Sequence, residues 1–367
     1  MKITTWNRLT DNIKKGLKGL NKGIPFEGFG TLGDYICNIQ KGRYDLIFAA
    51  SGVGKTAFVN SAYVYGAIKF IQKNPDYINK LEIVYFSLEL TAEEQLGKYI
   101  CSRLFDDHGI IISYNELLSK GNHELQPHIL ELIEKYNLEM EELESKFLFF
   151  RYKVNPDSLY TILLGYAKTR GTIIYDSAGE ITGYTPNDPN LITEIVIDHI
   201  GLIDLGKYAD LKLAIDTVSR HLVMFRNLFG FSPVVISQIN RSQEQMNRRG
   251  DGDNWHPVQS DIKNTGSVAE DSNTIIAVAS PFYLMVDKCL GFDITRFKDR
   301  YRMIKIVKNR DGPTNILASF LFIGELGKFE QLGPASDYEV SPPETLKRVN
   351  QFYANKRKEE DGDGFDD

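Results

Sequence analysis

One short segment constrains the fold of this chain more than any other feature. Ala49-Ala50-Ser51-Gly52-Val53-Gly54-Lys55-Thr56 follows the apolar run Tyr44-Asp45-Leu46-Ile47-Phe48 and opens the helix-prone run Ala57-Phe58-Val59-Asn60. A glycine-containing turn between a strand and a helix directs successive backbone N–H groups into one concavity. The positive end of the helix dipole lies behind it, so the turn binds phosphate. In such a loop Lys55 reaches the β- and γ-phosphates and the Thr56 hydroxyl holds magnesium. Ser51, Gly52, Val53, Gly54, Lys55, Thr56 and Ala57 are the candidate nucleotide-contacting residues. The first position is Ala49 rather than glycine, so the pattern G-x-x-x-x-G-K-[ST] is met in its relaxed form. The loop predicts a nucleoside triphosphate bound with Mg2+.

The rest of the chain repeats the strand-then-helix rhythm. Strand-like apolar runs occur at 44 to 50, 81 to 88, 194 to 205 and 232 to 239, with helical patterns near 55 to 72, 91 to 105, 157 to 169 and 210 to 229. Such alternation predicts an α/β fold: a mostly parallel sheet with helices on both faces. Two later runs, 302 to 308 and 316 to 323, flank Arg310-Asp311-Gly312-Pro313 and predict an antiparallel hairpin at the C-terminal edge of the sheet. Residues 171 to 192 read as an inserted hairpin and loop. Residues 5 to 22 place Trp6, Leu9, Ile13, Leu17 and Leu20 on one helical face, with Lys14, Lys15, Lys18 and Lys22 largely off it. That helix packs on its own domain or on a neighbouring copy, because Gly23, Pro25, Gly28 and Gly30 follow and form a linker. The organisation expected is a linker helix at 1–23 docking on a neighbouring subunit, a nucleotide-binding domain at 24–335, and an extension at 336–367.

Charge excludes one class of protein. The formal net charge is −6, which does not suit a globally basic nucleic-acid binder. The balance is uneven, since the tail from Glu359 to Asp367 carries six acids and no base, leaving the remainder close to neutral. A run of this kind is ordinarily a solvated, disordered end. Cys37, Cys101 and Cys289 follow no metal-ligand or redox spacing, which fits thiols in a reducing compartment. With no run of eighteen apolar residues and no leader pattern, neither a membrane span nor secretion is expected. The expected location is the cytoplasm of a bacterium or of a virus-infected host.

Two acids end strand-like runs. Ile195-Val196-Ile197-Asp198 presents a carboxylate at the C-terminal edge of a strand, where it can meet the water shell of magnesium. Phe86-Ser87-Leu88-Glu89-Leu90 does the same before a helix start at Thr91-Ala92-Glu93-Glu94. On a strand adjacent to the phosphate loop, Glu89 would orient and deprotonate the water that attacks the γ-phosphate.

Taken in order, five separated blocks carry a resemblance: Ala49 to Phe58, Phe86 to Gln95, Val196 to Leu202, Val234 to Ser242 with Ser260 to Asp271, and Lys305 to Thr314. Over residues 24 to 333 the chain resembles the ATPase domain of the DnaB-type replicative helicases, which are RecA-like hexameric motors. The resemblance implies a RecA-like P-loop core. By it, Glu89 matches the catalytic glutamate, Asp198 the magnesium-associated acid and Gln238 the γ-phosphate sensor. Lys308-Asn309-Arg310 is similar to the Lys-x-Arg element that reaches the next subunit's nucleotide, Arg310 serving as arginine finger. The segment Asp261-Ile262-Lys263-Asn264-Thr265-Gly266 matches the one that lines the central channel, so Lys263, Asn264 and Gly266 are implied to grip the phosphates of one strand. A backbone grip is sequence-independent and salt-sensitive, which suits a motor that runs over any sequence. Charge and loop placement alone add Arg248, Arg249 and Lys207 as DNA-binding candidates. Trp255 reads as loop packing, and His199 as a satisfied residue at the sheet edge.

The implied protein is a ring, most simply a hexamer, that moves along single-stranded DNA and unwinds duplex at the expense of ATP. The resemblance admits a primase, a loader or a single-strand-binding protein as further partners. Family members usually carry a helical collar ahead of this domain; here about 23 residues precede the core, a compact design that suits a virus or mobile element. Two alternatives share the ATP site: a RecA-like strand-exchange ATPase, and an assembly or loading factor that does not translocate.

Overall fold

Runs of β-branched and aromatic residues become strands wherever turn residues bound them. The computed structural model describes residues 5–239, 255–263 and 266–362. The DNA candidates Arg248, Arg249 and Asn264 lie outside the described residues. The strands are β1 (Asp45–Ala49), β2 (Lys80–Ser87), β3 (Leu148–Arg151), β4 (Gly171–Tyr175), β5 (Ile181–Pro186), β6 (Leu191–Asp198), β7 (Ser232–Gln238), β8 (Thr274–Ala279), β9 (Lys288–Cys289), β10 (Phe292–Asp293), β11 (Tyr301–Asn309), β12 (Ile316–Ile323) and β13 (Lys328–Gln331). Nine of them form one sheet in the order β13-β12-β11-β8-β1-β7-β6-β2-β3. From β8 to β3 every pairing is parallel, and β8-β11, β11-β12 and β12-β13 are antiparallel. The expected hairpin is therefore present, extended by a third strand. β4 pairs with β5 in the inserted hairpin, apart from the main sheet.

Both faces of the sheet are covered, so its central strands are buried throughout and alternate residues feed two cores. Ile47, Val196, Val234 and Ile276 pack on one face against Phe58, Val59 and Ile68. Leu46, Phe48, Ile195, Val235 and Ile275 pack on the other against Leu159, Leu163, Val218 and Leu222. The helices are Pro156–Arg170 and Leu211–Met224 on that second face, close to the sequence expectation, and Ala92–His108, capped by reciprocal Thr91 and Glu94 hydrogen bonds.

Four expectations need correcting. The strand expected over 194 to 205 ends at Asp198, because the chain leaves the sheet there into a short 3-10 turn, Ile200–Leu202, with the His199 side chain accepting from the Gly201 N–H. Glu89 does not follow a strand adjacent to the phosphate loop: β7 and β6 lie between β1 and β2. The acidic tail, expected to be disordered, is helical as far as Gly362 within the helix Glu344–Gly362. Glu359 and Glu360, like the Lys356-Arg357-Lys358 run that precedes them, are good helix formers. Residues 363–367 lie outside the described residues. The amino-terminal helix is also shorter than read, spanning Thr5–Leu17, and its apolar face is exposed, with Trp6 at 67% and Leu17 at 86%.

Near the start of the sheet Glu194 on β6 is fully buried, and neither carboxylate oxygen has a hydrogen-bond partner among the described residues. Burial, then the neighbouring Asp45, pushes its carboxyl well above the usual range. The folded chain thus holds a proton that the unfolded chain releases above its ordinary pKa near 4.5, and stability falls as pH rises through that window. The slope from one such group is at most about 1.4 kcal/mol per pH unit. Glu194→Gln is expected to remove this component, so that urea unfolding between about pH 6 and about pH 8.5 shows a flatter decline than the wild type. Equal slopes in both proteins would show that Glu194 is not buried as the neutral acid.

Candidate nucleotide site

The phosphate loop leaves the C-terminal end of β1 and enters the helix Lys55–Val59, which continues through a widened π turn, Asn60–Val64, into Tyr65–Lys73. Gly52 and Gly54 sit at φ +75° and +101°, a region that side chains disfavour. A Cβ at Gly54 would also come within 3.0 Å of the Phe322 ring. Lys55 is buried, and its Nζ donates to the Ala50 carbonyl at 3.1 Å within the loop. The loop opens on a cleft of about 560 Å³ that Ser51, Thr56, Glu89 and Phe322 help to line.

Two features around this site were marked by no sequence pattern, and the first braces the loop. Arg302, from β11, is fully buried and donates from Nε to the Val53 carbonyl at 2.7 Å, and from Nη1 to the carbonyls of Asp299 and Tyr301. Burial lowers its pKa to about 10. Its guanidinium lies 4.7 Å from the Phe322 ring centroid, so a cation and a ring together form a floor under Val53 and Gly54. Nothing in spacing could reveal this, since β11 reaches the loop only through the order of the sheet. Opening of the helix at the π turn coincides with the second feature, Asn60, whose Nδ2 donates to Gln95 at 2.7 Å and whose Oδ1 lies 3.2 Å from the Tyr85 hydroxyl. Tyr85 in turn lies 3.2 Å from Asp198 Oδ2 and accepts from Gln95 Nε2.

Asp198 is fully buried at the end of β6. Burial raises its carboxyl to about 6, against the opposing Thr56 hydrogen bond. Its Oδ1 has no hydrogen-bond partner among the described residues. A buried carboxylate linked to the Thr56 hydroxyl, with one oxygen unpaired, is the donor set a hydrated magnesium ion needs. The residues present therefore fit that ion. Glu89 stands half-exposed on the same rim, its Oε2 3.9 Å from His199 Nε2. Gln238 is the β7 partner of Ala49, and its amide lies 3.1 Å from the same imidazole nitrogen. Lys55, Thr56, Glu89, Asp198 and Gln238 thus converge at one edge of the sheet, although they come from four strand ends.

Lys308 and Arg310 do not join them. Asn309 pairs with Thr274, which pairs with Asp45 at the start of β1, whereas the phosphate loop begins after Ala49. At about 3.3 Å per residue the two ends of β1 are about 13 Å apart. Lys308 Nζ donates to the carbonyls of Ala269 and Glu270 at 2.7 and 2.9 Å, and Arg310 to that of Glu270 at 2.7 Å. These carbonyls lie near the C-terminal end of the helix Gly266–Asp271, where cations are favoured.

On the nucleic-acid side Lys263 is exposed, and its backbone N–H donates to the Gln238 carbonyl at 3.0 Å, beside the Ile239–Ile262 bridge. Gly266 is exposed at the start of its helix. Lys207 stands apart, paired with Asp157 at 2.9 Å and lying over the Tyr208 ring. Trp255 is buried among Tyr301, Phe292 and Ile294, as packing rather than a stacking platform.

Residues 186–331 match the family of the DnaB-like helicase C terminal domain. The replicative DNA helicase DnaB of Mycobacterium leprae (strain TN) is 27% identical over 121 residues, 33% of this chain and 18% of the relative, so the match spans under a fifth of that protein's length. An ATPase domain of known structure superposes with a TM-score of 0.64 at 18% identity, covering 89% of this chain and 98% of the other. A DnaB-like replicative helicase, solved with its interactions with primase, superposes at 0.63 with 19% identity, over 90% of this chain and 67% of that one. The match to the DnaB-like domain begins beyond the phosphate loop and Glu89; the fold likeness extends over most of the chain. The core is accordingly RecA-like, with the antiparallel strands at its edge. No helix among the described residues is long and apolar enough to cross a membrane.

Proposed function

We propose that this chain is the motor domain of a ring-forming, ATP-driven replicative DNA helicase that translocates on single-stranded DNA. The single observation that carries the reading is the placement of two half-sites at opposite ends of one strand. Lys55, Thr56, Glu89, Asp198 and Gln238 gather beyond the end of β1, and Lys308 and Arg310 beyond its start. Subunits arranged head to tail in a ring bring the second set of one copy to the first set of the next.

In this reading Ser51 to Ala57 hold the triphosphate, and Thr56 and Asp198 would hold Mg2+, which would supply neutralisation of the phosphate charge. Glu89 orients and deprotonates the attacking water, and Gln238 contacts the γ-phosphate. Arg310 of the adjacent copy, with Lys308, neutralises charge in the transition state. Lys263, Asn264 and Gly266 grip DNA, and the charge of Arg248 and Arg249 adds them to the same role. Lys207 is the weakest of these candidates, since Asp157 already neutralises it. The helix Thr5–Leu17, with Trp6, Leu9, Ile13 and Leu17 exposed, docks on a neighbouring copy. A primase, loader or single-strand-binding protein is the partner class for such a ring.

A forked-duplex assay tests this. With ATP and Mg2+ the protein is expected to release the labelled strand from a fork of one tail polarity, and to release none when ATP is withheld. Binding of ATP and DNA with no strand release on either fork would favour a loading factor.

A further inference from the structure

His199 takes no part in the chemistry described above, yet it touches two residues that do. Its ring is buried, and Nδ1 accepts from the Gly201 N–H at 3.2 Å. A nitrogen that accepts carries no proton, so the ring proton is on Nε2. Nε2–H then faces the Gln238 amide at 3.1 Å, with Glu89 Oε2 at 3.9 Å. The amide atom placed against the ring is Gln238 Nε2, and because a donor cannot face an NH2 group the amide is assigned the opposite way round, with its carbonyl oxygen to the ring. The NH2 of Gln238 is left for the other side, where a phosphate oxygen can accept it. Without this constraint the amide has two orientations of similar shape, one of which presents a carbonyl dipole to an anion. The Gln238 backbone carbonyl is meanwhile held by the Lys263 N–H at 3.0 Å.

We propose that His199 is a positioning residue that fixes the amide orientation of Gln238, so that the segment at Lys263, Gln238 and Glu89 are held as one unit. The proposal rests on the ATPase reading above. Gly201 supplies an independent handle. A Cβ there would come within 3.0 Å of His199 Cε1 and 3.1 Å of Nδ1, so Gly201→Ala displaces the ring without deleting it.

The test is steady-state ATP hydrolysis by the full chain, with and without an oligo(dT) strand. His199→Ala is expected to lower kcat by about 10- to 100-fold, the usual effect of losing a residue that orients a reacting one. KM for ATP should stay within about threefold, since the triphosphate contacts are intact. His199→Gln, which places an N–H donor close to the position of Nε2, is expected to recover most of the loss, and Gly201→Ala to fall between. Three results would overturn the proposal: kcat for His199→Ala within about twofold of wild type, equal losses for the alanine and glutamine variants, or a KM that rises in step with the loss. Should His199→Ala not fold, the order of His199→Gln above Gly201→Ala decides. A wild-type chain with no turnover under either condition would instead sink the ATPase reading itself.

Discussion

Arg310→Ala is expected to lower DNA-stimulated ATP turnover by about 10³- to 10⁵-fold, the contribution of a cation supplied to the transferring phosphoryl group. Nucleotide affinity of the isolated subunit should be unchanged, because the guanidinium lies beyond the start of β1 and is bonded to the Glu270 carbonyl, away from its own phosphate loop. That separation gives the experiment its second arm. Glu89→Gln should be equally inactive, but its defect sits in the half-site that binds the triphosphate. Mixed rings of the two inactive proteins contain some interfaces at which wild-type Glu89 of one copy meets wild-type Arg310 of the next. Turnover is therefore expected to reappear on mixing and to vary with the mixing ratio. Two defects acting within one subunit could not complement in this way. Full turnover by Arg310→Ala alone would refute the role given to Arg310.

The separation also explains which parts of the molecule could be read from its residues. β1, the loop and the start of its helix are contiguous, so a local pattern located them. The same holds for Glu89 and Asp198, each of which ends an apolar run, whereas Gln238 was marked by the family resemblance alone. Strand order is not a local property. β7 and β6 lie between β1 and β2, and the expected adjacency of Glu89's strand failed because nothing in a run of apolar residues names its neighbour. Arg302 was invisible for a related reason: buried arginines are rare, and one in a strand pattern reads as an outward-facing residue. Its partner is a backbone carbonyl 249 positions away, which no side-chain pattern encodes. The network of Asn60, Tyr85 and Gln95 likewise joins three elements through neutral groups that carry no motif. His199 was read as a satisfied residue at the sheet edge. It is satisfied, but its partner on the far side of the ring is the amide of Gln238.

Asp198→Asn is expected to move stability and nucleotide response in opposite directions. The wild-type carboxylate is buried with its pKa raised to about 6, so at alkaline pH the free protein bears the cost of an ionised group without full compensation. The sign follows from proton binding. Between the ordinary value of 3.8 and about 6 the folded state binds the proton more tightly, and stability is lost as pH rises through that window. Asparagine removes the charge and keeps a carbonyl oxygen able to accept from Tyr85 and Thr56. The free variant should then be more stable than wild type above about pH 7, by no more than roughly 2–3 kcal/mol, and the two should converge near pH 4. Magnesium reverses the ranking. The ion requires the charge that asparagine lacks, so the thermal shift that ATP with Mg2+ gives the wild type should shrink to the value seen with EDTA. Turnover should fall by about 10²- to 10³-fold, as several kcal/mol of metal-borne charge stabilisation is lost. Thermal melts of both proteins, with ATP in Mg2+ or in EDTA at two pH values, separate these effects. A variant less stable than wild type without nucleotide, yet still responsive to Mg2+, would mean that Asp198 is a structural acid rather than the magnesium-associated one.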